Sequence, residues 1–80
     1  MTESKIISEL NEIFRDLFDD DDIEVTRKTT ADDIDDWDSL EHINLIGAVE
    51  RKYKISFTMK EVSSMKNVGE MIDIIMERAK

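Results

Sequence analysis

The sequence predicts an all-α fold, a four-helix bundle with three longer helices and a short third helix. Apolar residues recur at three- and four-residue steps in four separate stretches, the spacing of helices with one buried face. Three of those stretches begin with a sequence typical of a helix N-terminus. No proline, low-complexity linker or internal repeat divides the 80 residues, so we expect one domain over residues 1–80.

The first predicted helix runs from Glu3 to Phe18. Seven apolar residues share helical spacing along it and would form one buried stripe. They are Ile6, Ile7, Leu10, Ile13, Phe14, Leu17 and Phe18. Four consecutive aspartates, Asp19 to Asp22, then end the periodicity and mark the end of the helix.

A long irregular segment is expected to connect Asp19 to Trp37. Four isolated apolar residues would pin it to the helices and keep it ordered. They are Ile23, Val25, Ile34 and Trp37. A short β-strand over residues 23–26 is the alternative, although no second strand is evident to pair with it. We interpret Trp37 as an anchor of this loop, with a place in a recognition surface as the alternative.

Capping sequences predict where the other three helices begin. In each, a side chain able to accept a backbone N–H lies three positions before a glutamate. The pairs are Asp38 with Glu41, Thr58 with Glu61 and Asn67 with Glu70. The second helix would carry a broad apolar face of Leu40, Ile43, Leu45, Ile46, Val49 and Tyr53. Two interpretations are open for the later methionines: they belong to the core and its rim, or they line a flexible cleft. These residues are Met59, Met65, Met71 and Met76.

The chain is strongly acidic, with 20 Asp and Glu against 11 Lys and Arg. Twelve of the acids lie between Asp16 and Glu41, so the negative charge is concentrated in the first half. This argues against nucleic acid as a partner, because a phosphate backbone needs Lys and Arg to displace its counterions. An acidic surface instead attracts proteins that carry basic patches.

Self-repulsion of this charge should weaken the fold at low ionic strength. We therefore predict that added salt or divalent cations raise the melting temperature. Thermal denaturation in dilute buffer and in added magnesium checks this, and identical melting in both would contradict it.

Length and composition also limit the function. A chain this short builds one core worth about 3–5 kcal/mol, which leaves little room for a deep enzyme pocket and favours a binding or carrier module.

With no cysteine and with His42 as the one histidine, no metal site is expected, and the aspartate runs lack the glycine and closing glutamate of an EF-hand. Neither a signal peptide nor the roughly 20 apolar residues of a membrane span is evident, so we expect a cytoplasmic protein without membrane insertion.

Ser39 stands where the acidic loop becomes an amphipathic helix. From composition and spacing alone it is either a first-turn or capping serine without chemistry, or a handle for a covalent group. Ser39 and His42 could share a helix face as nucleophile and base. No glycine-rich oxyanion turn accompanies them, so we predict no catalytic residue. His42 is expected to be partly exposed on the second helix.

The sequence Asp38-Ser39-Leu40 at a helix start resembles the attachment motif of acyl carrier proteins. The similarity covers most of the chain, because the second helix, the following turn and the starts of the last two helices also match that family. The matching positions are Glu50, Tyr53, Phe57, Thr58, Met65, Asn67 and Val68.

This resemblance implies a bundle of acyl-carrier type in which Ser39 bears 4′-phosphopantetheine, transferred from coenzyme A by a phosphopantetheinyl transferase. The thiol of the arm would hold an acyl group as a thioester, so the protein would be a carrier and not an enzyme. A helix N-terminus independently favours a phosphate there, by about 0.3–1 kcal/mol.

The resemblance also implies a partner-binding patch around Ser39, formed by Asp38, Leu40, Glu41, Ile43 and Glu50. Its partners would be the transferase, an acyl ligase or acyltransferase, and other pathway enzymes with basic docking patches. We expect a monomer.

Carriers of fatty acid synthesis often have acidic residues at several positions where this chain has none. These positions are Asn44, Arg51, Lys52, Lys54, Met59 and Lys60. Trp37 also replaces a small residue before the motif. These departures favour a specialised fatty acid, polyketide or polysaccharide pathway. The alternatives are a peptidyl or aminoacyl carrier, and an acidic protein-interaction module in which Ser39 stays unmodified.

Overall fold

The computed structural model describes residues 2–79 and contains four α-helices. They are α1 (Glu3–Phe18), α2 (Ser39–Tyr53), α3 (Met59–Ser64) and α4 (Val68–Arg78). The loop before α2 contains one 3₁₀ turn at Ala31–Asp33, and residues 2–79 contain no strand. The all-α prediction with a short third helix is confirmed, and the β-strand alternative at residues 23–26 is wrong.

The predicted capping side chains all accept a backbone N–H of the first helical turn, from Glu41, Glu61 and Glu70 respectively. Of the three predicted pairs, only Thr58 with Glu61 is bonded in both directions and so forms a capping box, because the Glu61 carboxylate also accepts the Thr58 N–H at 2.8 Å. The Glu41 carboxylate instead accepts from the Asn44 side-chain amide at 2.9 Å. The Glu70 carboxylate accepts the N–H of the residue before its cap. In the first and third predicted pairs, therefore, the cap side chain accepts a backbone N–H but the glutamate does not bond back to the cap residue.

One cluster of buried apolar side chains joins α1, α2, α4 and the long loop. Its fully buried members include Ile6, Leu10, Phe14, Leu45, Val49, Met71, Ile72 and Ile75. Leu40 and Ile43, assigned above to the apolar face of α2, are 68% and 53% exposed. At about 100° per residue, Leu40 lies opposite the stripe of Leu45, Ile46 and Val49, whereas Ile43 lies at the edge of that stripe beside Ile46. The buried stripe of α2 is therefore narrower than predicted.

Polar side chains of α1 hold the start of the long loop. Arg15 Nε donates to the Ile23 carbonyl at 2.7 Å, and Asn11 Oδ1 accepts the Val25 N–H at 2.6 Å. Both loop residues bury their side chains against the core. These contacts satisfy backbone groups that a loop would otherwise leave to water, which explains how so long a connection is fixed.

Residues 27–29 of the loop, which we call the α4 strap, accept the first N–H groups of α4. The Thr29 carbonyl accepts from Val68 N and the Arg27 carbonyl from Gly69 N, both at 2.9 Å. Gly69 permits this approach, because a Cβ there would lie 3.0 Å from the Arg27 oxygen. The strap thus caps α4 from a distant part of the chain.

An ion pair joins α3 to α4. The Arg78 guanidinium bonds both carboxylate oxygens of Glu61 and donates to the Ser56 carbonyl at 2.9 Å. These Arg78 bonds, with the backbone bond from Thr58, lower the pKa of Glu61 from 4.5 to about 2. The charged Glu61 therefore stabilises the fold above its ordinary pKa, and this contribution is lost as the pH falls from about 4.5 toward 2.

We predict that Glu61→Gln lowers the melting temperature at neutral pH and that the two melting temperatures converge as the pH falls toward 2, where Glu61 itself becomes protonated. Glutamine can keep the capping bond but not the charge. Thermal melts between pH 2 and 7 would measure the difference. Glu12→Gln, at an exposed position of α1, is the matched control. A constant difference between wild type and Glu61→Gln at all pH values would contradict the prediction.

Candidate functional site

Ser39 is exposed and occupies the first position of α2. Asp38, in an extended conformation, is the N-cap, and its carboxylate accepts the Glu41 N–H at 2.8 Å. Capping of α2 is therefore done by the aspartate and not by the serine. No side-chain hydrogen bond joins the Ser39 hydroxyl to another of residues 2–79. The hydroxyl is available to a reagent from solvent.

A groove of about 580 Å³ opens beside Ser39. We call it the Ser39 groove. The first turns of α2 form one side with Ser39, His42 and Ile43, while Val62 and Ser63 of α3 form the other. Trp37 and the connection between α3 and α4 complete the wall. The groove brings the serine, the loop and α3 together, although they lie far apart in sequence.

Trp37 is fixed in the core, with 9% of its surface exposed. Its ring packs edge-on against Phe14 with centroids 5.2 Å apart, and Phe18 lies at 6.5 Å. The interpretation of Trp37 as a loop anchor is confirmed. The indole also lines the Ser39 groove, so the anchor forms part of the site wall.

His42 bridges the loop and α3, a role that the sequence does not reveal. Trp37 Nε1 lies 3.1 Å from His42 Nδ1, and His42 Nε2 lies 3.1 Å from the Val62 carbonyl oxygen. An indole N–H only donates and a carbonyl only accepts, so Nδ1 accepts, Nε2 carries the proton and the imidazole is neutral. Both ring nitrogens are engaged. His42 therefore has no free nitrogen with which to act as a base toward Ser39.

Four of the five residues assigned above to partner binding surround Ser39. Asp38, Leu40 and Ile43 are exposed, and Glu41 is half-buried. Glu50 lies 11 residues further along α2, which is roughly 16 Å along the helix axis. Its carboxylate accepts the backbone N–H of Phe57 at 2.7 Å and so stabilises the turn after α2. The structure gives Glu50 this structural contact, and its binding of a partner stays a prediction.

The surface charge changes sign along α2. Before and at its first turn lie exposed acids, among them Asp36 and Asp38, with Glu41 close behind. Exposed basic side chains follow at the far end and at the start of α3; they are Arg51, Lys52, Lys54 and Lys60. An approaching protein thus meets negative charge at Ser39 and positive charge about three to four turns away.

No three acidic or histidine side chains among residues 2–79 converge as a candidate metal site. None of the helices described in that range is both long enough and apolar enough to cross a bilayer.

Comparison with known proteins finds similarity among solved structures. No protein-family model matches the chain, and no curated protein matches it significantly. Among solved structures, the chain is similar to the solution NMR structure of a holo acyl carrier protein from Geobacter metallireducens. The two are 49% identical, with a TM-score of 0.84, over 90% of this chain and 83% of the other.

Proposed function

The chain belongs to the acyl carrier protein family, and on that premise we propose that it carries an acyl intermediate on 4′-phosphopantetheine bound to Ser39. The observation that carries the proposal is the exposed Ser39 hydroxyl at the first position of α2, with Asp38 supplying the cap. The similar solved structure is described as the holo form. The proposal takes residues 1–80 as one carrier domain.

The residues present fit such a group. The first-turn N–H groups of α2 favour a phosphate on Ser39, because they lie at the positive end of the helix dipole. The Ser39 groove offers space beside the hydroxyl for an arm to lie against Trp37 and Ile43. When bound, the arm supplies the thiol that holds the acyl group, and the chain itself has no cysteine to compete with it.

The acids near Ser39 oppose a bound phosphate, so we assign them to partner recognition. The carboxylates of Asp38 and Glu41 would bind basic residues on the transferase and on acyl-loading enzymes. The exposed apolar side chains of Leu40 and Ile43 would pack against an apolar contact surface on the same partners. The positive charge at the far end of α2 supports a partner set different from that of fatty acid synthesis. We propose a specialised pathway and a cytoplasmic monomer.

The intact mass of the chain before and after incubation with coenzyme A and a broad-specificity phosphopantetheinyl transferase tests the proposal. We expect a gain of one phosphopantetheine, located on Ser39 by fragmentation. A control carrier shows that the transferase is active, and circular dichroism shows that the chain is folded. No gain under those conditions would favour an interaction module with unmodified Ser39.

A further inference from the structure

The helix α3 buries fewer side chains than the other three helices, since Val62 is the one buried residue of its six. Apolar packing therefore does little to fix its position, and polar contacts matter more. The Glu61 and Arg78 pair holds its N-terminal half. The bond from His42 to the Val62 carbonyl holds its C-terminal half.

The Val62 carbonyl needs a partner from outside α3. A carbonyl in the last turn of a helix has no intrahelical N–H to bond. α3 ends at Ser64, and the Lys66 N–H, one turn beyond Val62, donates instead to the Glu70 carboxylate. His42 Nε2 thus acts as a C-terminal cap of α3 that is supplied by α2.

The other ring nitrogen of His42 fixes the imidazole in place. Nδ1 accepts from Trp37 Nε1, and Trp37 is held by its packing on Phe14. His42 therefore lies between an indole that is fixed in the core and a carbonyl of the weakly packed helix. All three residues line the Ser39 groove, His42 and Val62 from its two sides.

We propose that His42 is a positioning residue that sets the width of the Ser39 groove, by holding α3 at hydrogen-bond distance from α2 and Trp37. The imidazole does this as the neutral tautomer with its proton on Nε2. The bridge itself is independent of any modification. Its consequence for an arm in the groove rests on the proposed function.

The unmodified protein tests the bridge directly. His42→Leu removes both hydrogen bonds but keeps a side chain of similar volume. His42→Gln keeps one acceptor and one donor on the same side chain. Amide hydrogen exchange would be followed in α3 and α4. We expect His42→Leu to lower protection in α3 about two- to tenfold more than in α4, the factor that the bond to the Val62 carbonyl supplies. His42→Gln should retain most of the protection.

Asn44→Leu is the matched control, because it adds a leucine to the same helix at an exposed position. The proposal is overturned if His42→Leu leaves α3 protection unchanged, if α4 loses protection by the same factor, or if glutamine behaves as leucine does. A ¹⁵N NMR spectrum of the single histidine supplies a separate readout. Signals of the tautomer protonated on Nδ1 would also overturn the proposal.

The holo protein tests the consequence for the groove. After transfer of phosphopantetheine, the rate at which iodoacetamide alkylates the arm thiol would be compared in wild type, His42→Gln and His42→Leu. We expect alkylation to be about two- to tenfold faster in His42→Leu alone, because a loosened α3 shelters the arm less. Equal rates in all three would refute a role for His42 in holding the arm. If Ser39 gains no arm, the proposed function fails, while hydrogen exchange still decides the role of His42.

Discussion

Replacing Ser39 by alanine is expected to abolish phosphopantetheine transfer completely while leaving the helical fold intact. The substitution removes the one atom to which the group would be attached. Asp38 still caps α2, and the exposed position loses no packing, so the free energy of unfolding should change by no more than about 0.5 kcal/mol. Intact mass after incubation with coenzyme A and the transferase measures the loss, and circular dichroism measures the fold.

Ser63→Ala is the matched control for this experiment. Ser63 is also exposed and lines the same groove, but it lies on α3 and not at the start of a long helix. Its replacement should leave the mass gain unchanged. Continued labelling of Ser39→Ala, at Ser63, Ser64 or elsewhere, would show that the attachment site has been assigned to the wrong serine.

Replacing Phe14 by alanine is expected to leave the domain largely unfolded at room temperature. Phe14 is fully buried and packs against Phe18 at 5.9 Å and Trp37 at 5.2 Å. Loss of a buried phenylalanine side chain costs about 3–5 kcal/mol, and a core of this size supplies only about 3–5 kcal/mol in total. Urea denaturation followed by circular dichroism and by the fluorescence of Trp37, the single tryptophan, would measure the effect.

Leu17→Ala provides the comparison, because Leu17 lies one turn further along α1 and is only half-buried. It should remain folded with a smaller loss of stability. A Phe14→Ala protein no less stable than Leu17→Ala would mean that the aromatic cluster is not the centre of the core.

The helices and their starts could be predicted because both depend on residues close together in sequence. Apolar spacing fixed the bounds of α1, and the caps at Asp38, Thr58 and Asn67 each act over three residues. The 3₁₀ turn at Ala31–Asp33 was missed, although the bond from the Thr30 N–H to the Asp33 carboxylate repeats the same capping spacing.

The groove could not be predicted, because its parts meet only after the chain has folded. No periodic rule relates Trp37 to His42 across a loop boundary, and Val62 approaches His42 only when α3 turns back on α2. The contact between Glu50 and the Phe57 N–H likewise depends on the shape of a turn. Ser39 itself could be singled out through its family resemblance, and its modification stays a prediction.

Two parts of the long loop should differ in their tolerance of inserted residues. The turn at residues 19–22 is exposed on every residue and lies before the contacts that fix the loop, so a peptide tag or new chain termini could be introduced there with little loss. The α4 strap offers no such freedom, since its carbonyls accept the N–H groups of Val68 and Gly69. An insertion at residues 27–29 would take the carbonyl acceptors away from two N–H groups of a helix more than 35 positions away. Fusion proteins and circular permutants of this carrier are therefore best built at the aspartate turn.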